Sequence, residues 1–140
     1  MAYSVLVERT VPVARSKVFA ALMDFGGIGK LLPDAIESCN LEGNGIGALR
    51  HIVLKGTPGK VVERLESAYD GHVFSYSIVG DCPLPLTAYH AVVTLEDAAG
   101  GGCYIAYGSN WVAKGAPEAE VQGLLTGLYG AIIDAIAKAG

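Results

Sequence analysis

Between Ile36 and Val112 the chain is written almost entirely in period two, and after it comes one long stretch written in the helical period. That order leaves few architectures open. Apolar and polar residues alternate over Ile36–Glu42, Gly47–Leu54, Lys60–Tyr69, Val73–Gly80, Tyr89–Glu96 and Gly102–Val112, the pattern of half-buried strands. Turn residues separate them: Gly43-Asn44-Gly45, Thr57-Pro58-Gly59, Asp70-Gly71 and Asp97–Gly101. Ahead of this block, Tyr3–Thr10 reads as a strand closed by Pro12, and Ala14–Asp24 as a helix with Val18, Phe19, Leu22 and Met23 on one face. Lys30-Leu31-Leu32-Pro33 suggests a second short helix stopped by proline. From Pro117 to Lys138, Val121, Leu124, Leu125, Leu128, Ile132 and Ile136 form one stripe; Pro117 suits the first helical position, and Glu118 and Glu120 the positive end. A strand, two short helices, six strands and a long amphipathic helix predict an α+β fold: an antiparallel sheet with the last helix on its concave side.

One gap lacks turn chemistry. Cys82-Pro83-Leu84-Pro85-Leu86 joins two strands where a tight hairpin would carry Asn-Gly or Asp-Gly. Two prolines stiffen it, and Leu84 and Leu86 need an apolar surface to lie on. A lid over the mouth of a hydrophobic cavity meets that need.

Composition excludes several classes. With 140 residues the chain predicts one domain over 1–140, large enough for a substantial core. Hydrophobic residues reach 51% against 17% charged, yet no apolar run is long enough to span a membrane. The start of the chain lacks the basic and apolar segments of a signal peptide, so a cytoplasmic location is expected. A net charge of −4 without Lys/Arg clusters argues against nucleic acid and anionic membranes as partners. Cys39, Cys82 and Cys103 show no metal-binding spacing, and no nucleotide, phosphate or hydrolase motif occurs, so neither metal nor cofactor is expected. His51, His72 and His90 are scattered without partners at ligand spacing. Gly123, Gly127 and Gly130 lie nearly opposite the apolar stripe of the last helix; they are either tolerated on an exposed face or allow close approach of a second subunit in a homodimer.

Alternation puts an unusual set on the inner face: Glu37, Cys39 and Leu41; Ile52 and Leu54; Val61, Glu63 and Leu65; Phe74, Tyr76 and Ile78; Tyr89, Ala91, Val93 and Leu95; Tyr107, Ser109 and Trp111. Two carboxylates and several tyrosines among aliphatic residues are the composition of an apolar cavity with a few placed polar groups. A register slip of one residue would instead send Glu37 and Glu63 to solvent; the alternative for the tyrosines is a half-buried place in the sheet with their hydroxyls in water.

Val11-Pro12-Val13, Lys17-Val18-Phe19, Asp24-Phe25 and Leu32-Pro33, followed by Glu63-Arg64-Leu65, Tyr76-Ser77-Ile78, the apolar loop and Tyr89, resemble the START-like (SRPBCC, helix-grip) superfamily. The resemblance is to its polyketide cyclase/dehydrase and lipid-transport branch, which is similar to the plant abscisic acid receptors. It implies a seven-stranded antiparallel sheet wrapped around the C-terminal helix. It also implies two loops closing over a ligand, a gate at Lys55–Gly59 and a latch at Asp81–Leu86. The receptors' carboxylate-binding lysine falls at Glu37, which argues for a neutral, hydroxylated or cationic ligand and against an acid.

Two functions follow for the cavity, beside a third reading in which the protein is a helper whose groove holds a peptide or partner segment. In the first, a small hydrophobic molecule binds between sheet and helix for transport or sensing. Ile52, Leu54, Tyr76, Ile78, Leu124, Leu128 and Ile132 would line its site; Glu37, Glu63, Tyr89 and Ser109 would orient polar atoms; Pro58, Leu84 and Leu86 would close it. In the second, the same cavity is that of a cyclase or dehydratase, with Glu37 or Glu63 as base and Tyr76 or Tyr89 as donor to an oxyanion.

Overall fold

The computed structural model describes residues 2–139. Strand β1 (Val5–Val11) leads into helix α1 (Arg15–Met23), a single 3₁₀ turn at Phe25–Gly27 and helix α2 (Ile28–Leu31). Six strands follow: β2 (Ile36–Glu42), β3 (Leu49–Leu54), β4 (Val61–Tyr69), β5 (Val73–Ile78), β6 (Leu86–Ala98) and β7 (Gly102–Ala113). Helix α3 (Glu118–Ala139) ends the chain. The strands form one antiparallel sheet of order β1-β7-β6-β5-β4-β3-β2. Neighbours from β2 to β7 are joined by short turns, so β1 and β2 are the two edges, and the short helices carry the chain from one edge to the other.

Local chemistry explains the joints. Asp70 and Gly71 both sit at positive φ, 50° and 70°, in the β4–β5 turn, a conformation that Asp tolerates and Gly adopts freely. Register shifts interrupt β2 between Ile36 and Ser38, β4 between Leu65 and Ser67, and β6 between Thr87 and His90. Each bulge bends its strand and adds local twist, and so helps the sheet curve around α3.

Every strand and helix contributes to one hydrophobic core. From α3 the buried stripe is Val121, Leu125, Tyr129, Ile132, Ile133 and Ile136. It faces Leu65, Phe74, Tyr76, Val93, Ile105 and Tyr107 of the central strands, all nearly inaccessible to solvent. Full burial of one such side chain contributes about 1.5–3 kcal/mol, so this stripe anchors the helix.

Two sequence expectations for α3 need correction. Leu124 is exposed: at about 100° per residue it lies about 60° back from Val121, away from an arc that runs toward Tyr129 and Ile133. Gly130 is buried. Arg9 of β1 crosses the helix there on its way to an exposed ion pair with Asp134 at 3.4 Å, and a Cβ on Gly130 would lie 3.5 Å from its guanidinium. Gly123 and Gly127 have open space around them.

Candidate ligand cavity

A cavity of about 80 Å³ lies between the concave face of the sheet and α3. The sheet supplies Ile36, Arg50, Ile52, Leu54, Val61, Glu63, Tyr76, Ile78 and Tyr89 to its wall. Leu125, Leu128, Tyr129 and Ile132 come from α3, Ile28 from α2, and Leu84 from the loop before β6. Most of this wall is aliphatic, and its polar groups gather at two places.

The first is an ion pair absent from the sequence expectations. In the β3–β4 ladder Arg50 lies directly opposite Glu63. Its Nε and a terminal nitrogen both reach Glu63 Oε1 at 2.7 Å, and another terminal nitrogen donates to the Phe25 carbonyl at 3.2 Å. The guanidinium carbon stands 3.9 Å from the centre of the Phe25 ring and 4.9 Å from that of Tyr76, within cation–π range of both. Arg50 is 4% exposed and Glu63 8%, so the pair is desolvated. Burial works against the charge on Arg50, but the adjacent carboxylate outweighs it and holds the guanidinium above its ordinary pKa. Both nitrogen contacts fall on Oε1, and Glu63 Oε2 takes no hydrogen bond among the described residues.

The second is a chain of phenols. Tyr107 and Tyr76 share a hydrogen bond of 2.5 Å, Tyr76 and Tyr89 one of 3.2 Å, and Tyr89 and Tyr129 one of 2.5 Å. The chain joins β7, β5, β6 and α3, and the Tyr107 and Tyr129 rings stack at 4.1 Å. Burial raises the pKa of all four, so they are neutral donors and acceptors. Three links use three of the four hydroxyl protons, which leaves one for an acceptor outside the chain.

Of the residues expected at the site, Ile52, Leu54, Glu63, Tyr76, Ile78, Leu84, Tyr89, Leu128 and Ile132 stand together in this wall. Glu37 does not. It falls at the β2 bulge and faces solvent, although Cys39 two residues on is half-buried against the core. A bulge inserts one residue and breaks the two-residue period, which is why parity with Cys39 misplaced it. The argument about ligand charge that rested on Glu37 falls with it. Leu124 is exposed on α3, Pro58 is exposed outside the wall, and Ser109 is wholly buried in the core beyond it. Leu86 is the first residue of β6 and is buried, but it is not part of the cavity wall.

The loops at residues 55–59 and 81–86 approach each other. A Cβ on Gly59 would lie 3.9 Å from the Pro83 ring. Beside the 81–86 loop is a surface depression of about 490 Å³ that shares Ile78, Leu84 and Tyr89 with the cavity wall. These three side chains therefore separate the interior from the outer depression, and Leu84 is the one carried by a loop. None of the three histidines lines the cavity; His51 contacts Glu42 and Lys60, and His72 donates to the Leu95 carbonyl.

Arg50 is the principal residue missed in the sequence. It shares parity with Ile52 and Leu54 on the inner face of β3, so the signal was present in the alternation. Tyr129 was also missed, four residues after Leu125 on the same stripe.

A curved antiparallel sheet gripping a C-terminal helix, with a cavity between them, defines the helix-grip class of the SRPBCC proteins. The chain belongs to the family described as polyketide cyclase / dehydrase and lipid transport, whose model matches residues 3–139. Comparison with curated protein sequences returns no match. Among solved structures it is similar to XoxI from Bacillus cereus, with 22% identity, a TM-score of 0.79, and coverage of 99% of this chain and 95% of that one. It is similar to Ara h 8.0201, with 28% identity, a TM-score of 0.76, and coverage of 96% and 94%. Norcoclaurine synthase from Thalictrum flavum, in complex with dopamine and hydroxybenzaldehyde, shares the fold with 19% identity, a TM-score of 0.77, and coverage of 96% and 84%. Among the described residues no helix is long and apolar enough to cross a membrane.

Proposed function

We propose that this protein binds a small, mostly apolar molecule in the cavity between sheet and α3, as a carrier or a sensor. One observation carries the reading: a mostly aliphatic cavity edged by Leu84 of the loop before β6 has Glu63 in its wall, and Glu63 Oε2 takes no hydrogen bond among the described residues. An apolar pocket with a few convergent polar groups is the usual form of a small-molecule site. The family supports it, since lipid transport and polyketide chemistry both handle hydrophobic molecules. At about 80 Å³ the cavity is smaller than the roughly 150 Å³ that holds a benzene molecule in an engineered core. In this reading the structure is the closed form, and a ligand enters by displacing Leu84 so that the interior joins the outer depression.

The test is titration with a solvatochromic fatty-acid probe. It binds near 1:1, and Leu128→Trp, which fills the cavity from α3, abolishes binding while the fold is retained. Unchanged affinity in that variant rules out the cavity as the site.

A second reading is a cyclase or dehydratase. It draws on Glu63, Tyr76 and Tyr89 lining one wall, a carboxylate for the base and neutral phenols whose chain keeps one proton to donate. Turnover of an aromatic polyketide mimic, lost in Glu63→Gln with binding retained, would establish it.

A further inference from the structure

We infer that the Arg50–Glu63 pair sets the ligand class: the cavity admits an uncharged molecule carrying a hydroxyl and rejects a carboxylate. The inference rests on the cavity-binding reading and goes beyond it to selectivity.

The argument begins with charge. Arg50 and Glu63 are both buried, their side chains 5% and 11% exposed, and lie 2.7 Å apart, so this end of the cavity is neutral as a unit. Arg50 would be the natural anchor for an acidic ligand, but two of its nitrogens are already committed to Glu63 Oε1 and a third to the Phe25 carbonyl. Phe25 and Tyr76 lie against the guanidinium as well. A ligand carboxylate would bring a second negative charge beside Glu63, in a site where it has no cation of its own. Removing an ion from water without a dedicated partner is strongly unfavourable. A ligand cation would leave the opposite excess. A neutral ligand leaves the balance intact.

The second part is hydrogen-bonding capacity. Glu63 lines the wall, and its Oε2 takes no hydrogen bond among the described residues and can accept one from a donor. The phenol chain holds one proton beyond its three links, which a ligand oxygen can accept in competition with Ser109 beside Tyr129. A hydroxyl is both donor and acceptor, and on an otherwise apolar body it answers both needs. A hydrocarbon answers neither and leaves a desolvated carboxylate oxygen unpaired.

Three probes of one shape separate these terms: 2-naphthol, naphthalene and 2-naphthoate, titrated into the full chain at pH 7 by calorimetry. We expect 2-naphthol to bind at least about tenfold more tightly than naphthalene, as a hydrogen bond to a charged acceptor warrants, and 2-naphthoate to bind most weakly. In Glu63→Gln the order of the charged and neutral probes shifts: 2-naphthol loses its advantage and 2-naphthoate gains about tenfold or more, because Arg50 then lacks its counterion. If Glu63→Gln does not fold, the combined Arg50→Met and Glu63→Met variant serves; there the preference for 2-naphthol over naphthalene falls below about threefold. Naphthalene binding as tightly as 2-naphthol, or 2-naphthoate binding best to the unaltered protein, overturns the selectivity while leaving the binding reading intact. Failure of all three probes to bind overturns both.

Discussion

Replacing Arg50 with Met removes the cation of the buried pair and leaves Glu63 charged in an apolar wall. The structure sets the size of the effect. Arg50 is 4% exposed, contacts Glu63 at 2.7 Å, and supplies the hydrogen bond to the Phe25 carbonyl. Breaking a buried pair from one side costs about 3–5 kcal/mol, because the remaining ion has neither water nor partner. Unfolding entropy of about 2.1 cal/mol/K per residue makes 1 kcal/mol worth about 3 °C in a 140-residue protein, so the melting temperature falls by roughly 10–15 °C. Combining Arg50→Met with Glu63→Met removes both ions at once. The double variant should lie within about 1 kcal/mol of the unaltered protein, or be more stable by up to about 4 kcal/mol. Urea unfolding followed by the fluorescence of Trp111, the one tryptophan, measures all members of the cycle. A single-variant cost below about 1 kcal/mol, or a double-variant cost equal to the sum of the singles, refutes the account of a desolvated pair held together by mutual compensation.

Three further outcomes are expected. The four buried tyrosines have pKa values raised by burial, so their stabilising contribution is complete below the unfolded-state pKa near 10 and is lost as pH rises above it. With all four protonated only in the folded state, stability declines by up to about 5 kcal/mol per pH unit; urea midpoints that do not change between pH 9 and 11 would contradict this. Gly123→Ala and Gly127→Ala, at positions with open space in the interior of α3, should each stabilise by about 0.5–1 kcal/mol, and a loss in thermal melts would show that something covers that face. Glu37→Gln should change stability by no more than about 0.5 kcal/mol and leave 2-naphthol binding unaltered, whereas a loss of binding would return Glu37 to the site.

What the chain determined by itself is its local periodicity. A two-residue repeat needs only neighbouring positions, so β2 through β7 were legible to within a few residues, as was α3 from its 3.6-residue repeat. The apolar loop before β6 was legible too, because Pro83 and Pro85 announce a stiff connection and Leu84 announces an apolar surface to cover. Facing was legible only where the repeat ran unbroken: Ile52, Leu54, Glu63, Tyr76 and Tyr89 all reach the cavity wall. At Glu37 a bulge reset the alternation, and a bulge depends on how two strands pair rather than on either strand alone.

Arg50 shows what only tertiary structure decides. Its parity pointed inward, yet an arginine is buried only where a partner repays its desolvation. That partner is Glu63, placed opposite it by the register of β3 on β4. The phenol chain is of the same kind: Tyr76, Tyr89, Tyr107 and Tyr129 come from four elements, and up to 40 residues of chain separate bonded neighbours. Periodicity assigns each residue a side, but register and curvature choose which groups meet there, because the free energy of meeting depends on residues far apart in the chain.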